Sequence, residues 1–141
     1  MADVIKGHCL CGGVAFEVAK GGVMDVCHCR MCQRWTGAVF IEIDVEDADM
    51  NFTSDETLAW YDSSDWARRG FCSRCGSSLF YRMKKDGATW AVLAGTLDLP
   101  AGHSIRLEIF ADQKPDYYDL AGERPRLTTK ETLARFGGTD Q

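Results

Sequence analysis

Apolar and polar residues alternate with a period of two along much of this chain, the signature of strands with one covered face. Val14, Phe16 and Val18 alternate with Ala15 and Glu17, so residues 4–19 read as a strand, a tight turn at Gly12-Gly13 and a second strand. From Ala38 to Val45 the alternation returns, with Val39, Ile41, Ile43 and Val45 on one face and Phe40, Glu42 and Asp44 on the other. Further short strands are predicted around Leu58–Tyr61 and Leu79–Tyr81, with Ala67–Phe71 leading into the knuckle at Cys72. Asp86-Gly87 signals a hairpin between Leu79–Lys84 and Ala88–Gly95. A last strand runs from Ser104 to Phe110, with Ile105, Leu107 and Ile109 sharing a face. Between these lie an acidic run at Glu46–Asp49, expected as a solvated loop, and a turn at Asp62–Asp65. Only one turn of helix fits Gln33–Gly37. The pattern changes at the end: Thr128-Thr129-Lys130-Glu131 is a capping box ahead of Leu133 and Phe136. It predicts a short C-terminal helix that Gly137-Gly138 would stop. The expected fold is mainly β, built of antiparallel sheets, with residues 1–141 forming a single domain free of repeats and linkers.

Composition narrows the class of protein. With 141 residues, 45% hydrophobic and 26% charged, the chain has the make-up of one ordinary globular domain. No apolar run is long enough to span a bilayer, so no membrane partner is expected. The segment Met1-Ala2-Asp3-Val4-Ile5-Lys6-Gly7 lacks the charged head and apolar middle of a signal peptide, which predicts a cytoplasmic protein. The formal charge of −5 argues against a nucleic-acid partner. Arg68-Arg69 and Lys84-Lys85 read as solvated surface.

The chemistry lies in the cysteines. All seven fall into motifs: Cys9 and Cys11 as C-x-C, Cys27, Cys29 and Cys32 as C-x-C-x-x-C, and Cys72 and Cys75 as C-x-x-C before Gly76. An odd count and such short spacings suit disulfides poorly. A redox C-x-x-C is expected beside a βαβ pattern, which this chain lacks. Residues two apart on a strand point the same way, and sulfurs in a tetrahedral zinc site sit about 3.8 Å apart. An iron–sulfur cluster also takes cysteine ligands, and spacing alone leaves that choice open. The reading adopted is two zinc ions per chain. Cys9, Cys11, Cys72 and Cys75 close one site, and Cys27, Cys29 and Cys32 hold the other with one position free. Seven thiolates and two divalent ions would carry the formal charge from −5 to −8, further from any phosphate-binding role.

Gly7-His8-Cys9-Leu10-Cys11-Gly12, the run Cys27–Gly37 and Phe71-Cys72-Ser73-Arg74-Cys75-Gly76-Ser77 together resemble the glutathione-dependent formaldehyde-activating enzyme family, whose relatives include centromere protein V. The resemblance extends from Gly7 to about Pro125. It implies an Mss4-like, or β-tent, zinc fold, with a structural zinc on Cys9, Cys11, Cys72 and Cys75 and a catalytic zinc on Cys27, Cys29 and Cys32. It also implies carbon–sulfur lyase chemistry: glutathione and formaldehyde condensing to S-(hydroxymethyl)glutathione.

An open coordination position gives that chemistry a physical basis, because a thiol bound to a divalent ion is deprotonated and the thiolate is the nucleophile. The expected partner is then a small thiol such as glutathione. The alternative is a non-catalytic zinc module that binds a protein or peptide, its second site closed by a fourth ligand such as His28, His103 or an acidic side chain. Alternation turns His28 away from its neighbouring cysteines, so it reads as a surface or supporting residue with a possible part in proton relay. His8 and His103 read as plain surface or core residues. Arg30, Arg34 and Arg68 are candidates to hold a substrate carboxylate, and Trp35 and Phe71 to wall the pocket. The two cysteine sets predict different variants. Cys72→Ala should prevent stable folding, whereas Cys29→Ala should lose one zinc and activity while keeping the fold.

Overall fold

The computed structural model describes residues 4–137. Met1–Asp3 of the N-terminal segment read above, and Gly138 of the expected helix stop, lie outside them. Two compact units make up the chain: residues up to Val23 with Glu42–His103, and Met24–Ile41 with the residues from Ser104 onward. Among the described residues no helix is long and apolar enough to cross a membrane.

In the first unit, β1 (Ile5–His8), β2 (Val14–Val18) and β5 (Met50–Asp55) form an antiparallel sheet in the order β1-β2-β5. The alternation at Val14–Val18 is borne out, because Val14, Phe16 and Val18 are buried and Ala15 and Glu17 are not. A second antiparallel run starts with the Glu42–Val45 part of β4 (Phe40–Val45) and continues through β9 (Trp90–Leu93), β8 (Ser78–Met83), β7 (Ala67–Cys72) and β6 (Leu58–Asp62). The expected hairpin at Asp86-Gly87 joins β8 to β9, with Phe80 opposite Val92, a register one residue off that of a two-residue loop.

Aromatic rings fill this unit's core. Phe80 lies 5.0 Å from Phe16, 5.1 Å from Trp90 and 5.6 Å from Phe52, the separations of edge-to-face packing. Gly7 makes room for them, since a Cβ there would stand 2.5 Å from the Phe16 ring. The acidic run is more ordered than expected. Asp47–Asp49 forms a 3-10 turn in which Asp47 accepts from Trp90 Nε1 at 2.9 Å and pairs with Arg82 at 3.0 Å.

In the second unit, β3 (Met24–Cys27) pairs with β10 (Ile105–Ile109) in parallel, an exception to the antiparallel expectation. A seven-residue helix, α1 (Arg30–Thr36), stands where only one turn was expected. The tail beyond Pro115 adds a short bridge to β10, where Glu108 N donates to Pro125 O and Leu127 N to Glu108 O. The final helix, α2 (Thr129–Phe136), carries the predicted capping box in full. Its Thr132 is buried and accepts from Phe110 N at 3.1 Å. That bond supports Phe110 in a left-handed conformation, φ 53°, which non-glycine residues seldom adopt.

Candidate metal centres

The first unit gathers four thiols. Cys9 follows β1, and the chain turns back at once, with Gly12 N donating to Cys9 O at 3.1 Å. Cys72 ends β7, and Gly76, at φ 79°, closes the matching knuckle by donating to Cys72 O at 2.9 Å. These two turns bring the sulfurs of Cys9, Cys11, Cys72 and Cys75 within 4.8 Å of one another. Cys11 Sγ lies 3.6 Å from that of Cys9 and 3.7 Å from that of Cys72, close to the edge of a zinc tetrahedron.

Donors around Cys72 and Cys75 favour the thiolate form, whereas burial raises the Cys9 thiol above its ordinary value. Ser77 Oγ accepts from Leu10 N, which leaves its proton for Cys75 Sγ at 3.2 Å. With the Ser77 backbone N–H beside it, this brings the Cys75 thiol down to about 5. Burial raises Cys72, but a hydrogen bond from Thr57 Oγ1 at 3.1 Å and the N–H groups of Cys75 and Arg74 more than offset it, leaving Cys72 at about 7. Arg74 Nε donates to Cys11 Sγ at 3.3 Å. Gly13 makes room for these supports. A Cβ there would stand 2.3 Å from Thr57 Oγ1 and 3.0 Å from Arg74 Nη2.

The second unit gathers the other three. Cys27 ends β3, Cys29 caps α1, and Cys32 lies in its first turn; all three are buried. Their ligand atoms also lie within 4.8 Å of one another. Cys29 Sγ accepts from Cys32 N at 3.3 Å, so this thiol does the work usually given to a serine or aspartate cap. Gln33 Nε2 bridges two carbonyls, those of His28 at 2.6 Å and Gln113 at 2.8 Å, and fixes the loop against its surroundings. Here Cys29 and Cys32 are the main electrostatic neighbours of Cys27. Hydrogen bonding to Cys29 and Cys32, with burial added, pushes the Cys27 thiol well above its ordinary value. Three thiols this close would all ionise only with a cation among them, so the donor set fits a thiophilic metal ion.

His28 is not a surface residue. It is fully buried, with Nε2 2.8 Å from Glu108 Oε1 and Nδ1 3.3 Å from the Tyr118 hydroxyl. The tautomer that satisfies both partners carries its proton on Nε2 and accepts from Tyr118 at Nδ1. Glu108, 1% exposed, also receives Arg124 Nη1 at 2.6 Å and Arg126 Nε at 2.8 Å. Burial pushes its carboxyl up, and the bonds from His28 and Arg124 with the Arg126 charge bring it below its ordinary value. Sequence reasoning missed Glu108 because alternation along β10 turned it away from the buried Leu107. The available signal was Arg124-x-Arg126, two cations in an otherwise irregular tail.

The remaining candidates separate. Arg30 and Arg34 are exposed on α1, and Trp35 packs 6.4 Å from Phe40 in the same unit. Arg68 lies in the first unit with its guanidinium 4.2 Å over the Trp60 ring, and Phe71 belongs to β7 there. His8 and His103 are exposed and bonded to nearby backbone carbonyls.

A β-rich protein with two sulfur clusters, each able to hold a metal ion, is the class these features define. The chain belongs to the family described as glutathione-dependent formaldehyde-activating enzyme, whose model matches residues 4–113. It is 24% identical over 129 residues to a Schizosaccharomyces pombe protein named as an uncharacterized lyase, covering 91% of this chain and 93% of that one. A crystal structure of a Rhodobacter sphaeroides protein shares the fold, with a TM-score of 0.59 at 23% identity over 86% of this chain and 98% of that one. The family and the lyase relative support a lyase-like activity.

Proposed function

We propose that the protein is a zinc-dependent carbon–sulfur lyase, or synthase in the reverse sense, acting on adducts of a small thiol with an aldehyde. The pair named by its family, glutathione and formaldehyde, is the first substrate pair to test. One observation carries the reading: four thiols converge in one unit and three in the other, each set within 4.8 Å. Four complete a tetrahedron, while three leave a position for a guest. Cys9, Cys11, Cys72 and Cys75 are assigned to a structural zinc, and Cys27, Cys29 and Cys32 to the catalytic one. When bound at the second set, zinc would supply a position at which a substrate thiol is held as thiolate.

The chain's own part is to present three buried sulfurs on a loop fixed by Gln33, and to keep His28 from filling the fourth place. Both ring nitrogens of His28 already have partners, which favours an open site over a closed binding module. In the synthetic direction the thiol sulfur bonds the aldehyde carbon, the carbon–oxygen π bond opens, and the thiol proton ends on that oxygen. Cleavage is the exact reverse. Three protein thiolates leave a divalent centre with a net charge of −1, so delivery of a nucleophile suits it better than polarisation of a carbonyl.

The test is to measure exchange between free and hydroxymethylated glutathione by NMR, with and without protein. Faster exchange that disappears on chelation is expected. No gain over the spontaneous reaction with any small thiol would favour a non-catalytic module.

A further inference from the structure

We propose that Glu108 is the positioning residue of the three-thiol centre, acting through His28, with Tyr118 completing the grip on the imidazole. This rests on the reading of Cys27, Cys29 and Cys32 as a metal centre. His28 is the single residue between two of those cysteines, so the direction of each sulfur depends on how the His28 peptide is held. Its backbone is tied by N–H donation to Ile109 O at 3.0 Å and by its carbonyl to Gln33 Nε2. Its ring is tied on both sides, to Glu108 at 2.8 Å and Tyr118 at 3.3 Å.

Glu108 is fixed in turn. Its backbone bonds Pro125 and Leu127, and its carboxylate takes Arg124 and Arg126. Those arginines also fold the tail on itself, Arg124 Nη2 donating to Ala121 O and Arg126 Nη2 to Leu120 O and Gly122 O. Lys114 Nζ holds the segment before it through the carbonyls of Pro115 and Tyr118. Buried ion pairs are weak sources of stability but hold a single geometry. A network of this size around one imidazole therefore makes best sense as a device for placing the loop. Residues that orient a metal site from outside its ligands commonly change affinity or activity 10–100-fold when removed.

The experiment loads the full chain with cobalt(II) and follows its thiolate and ligand-field absorption while 2-mercaptoethanol is titrated in. The variants are Glu108→Gln, Tyr118→Phe, the pair together and Glu108→Ala. Glu108→Gln keeps an acceptor for His28 but drops the charge, and Tyr118→Phe removes one hydroxyl. Both, like the parent, are expected to bind two cobalt ions per chain. Glu108→Gln should show an altered absorption spectrum and about tenfold weaker binding of the probe thiol. Tyr118→Phe should shift the same way by less, and the double variant by less than the product, as for groups in one network. An unchanged spectrum and titration in both single variants, even with lowered thermal stability, would overturn the proposal and leave Glu108 a core ion pair. If Glu108→Ala does not fold, those two variants decide the matter. A parent that takes up no cobalt responsive to 2-mercaptoethanol would instead overturn the metal reading beneath it, a separate result.

Discussion

At the scale of single residues, the donors around a sulfur or a carboxylate decide what each group can do. Thr57 and Arg74 press on Gly13 while bonding the thiols of Cys72 and Cys11. A methyl group at Gly13 must displace one of them. Gly13→Ala is therefore expected to cost about 1–3 kcal/mol, as overpacking does, and to weaken metal retention at the four-thiol set. Urea denaturation with metal analysis checks both. Glu108 makes a prediction in pH. Its folded value lies below the ordinary 4.5, so the stability it contributes is fully present above pH 4.5 and is lost as pH falls through the folded value. Glu108→Gln should be less stable than the parent by about 2 kcal/mol at neutral pH. The gap should close in acid, which urea midpoints measured from pH 7 down to 3 would show. A gap constant across that range would mean the carboxylate charge contributes nothing.

At the scale of elements, the strands with clean alternation were legible. Val14–Val18 and the hairpin at Asp86-Gly87 stand where the pattern placed them, because one face is covered and the turn chemistry is local. Three features were not. Met24–Cys27 is too short to alternate convincingly, and it pairs in parallel with a strand distant in sequence, which no local signal reports. Helix α1 was underestimated because its cap is Cys29, a residue that normally signals metal rather than a helix start. Met50–Asp55 was overlooked because its buried side offers only partly covered residues to a pattern search. The capping box of α2, by contrast, was readable from two residues. Thr128→Ala should remove the side-chain acceptor for Glu131 N and cost about 1 kcal/mol. Loss of helical signal at a lower temperature in circular dichroism would register it. An unchanged melt would show that packing through Thr132 alone holds α2.

At the scale of the whole molecule, each cysteine set is confined to one compact unit, so the two can be perturbed separately. The sequence already grouped all seven thiols correctly. What it lacked was the environment: donors that lower the Cys72 and Cys75 thiols in one set, and crowding and burial that raise Cys27 in the other. Cys72→Ala is expected to leave the first unit without a stable fold, because structural zinc contributes about 10–16 kcal/mol in small domains. For the second unit Cys29→Ser is a cleaner change than Cys29→Ala, since a hydroxyl still caps α1 while the thiolate is gone. It should keep the circular dichroism spectrum, bind one ion fewer by mass spectrometry under native conditions, and lose the exchange activity. Equal unfolding in both variants would remove the division between a structural and a working centre.

The spacing of the donors along the chain also orders events during synthesis. Cys27, Cys29 and Cys32 leave the ribosome together, whereas Cys11 must wait for Cys72, 61 residues later. At about 5–20 residues per second that delay amounts to several seconds. The three-thiol set is thus complete as a ligand group while the four-thiol set is still half made. A metal ion present during synthesis would therefore be offered three thiols of one compact unit before the fourth thiol of the other has been made.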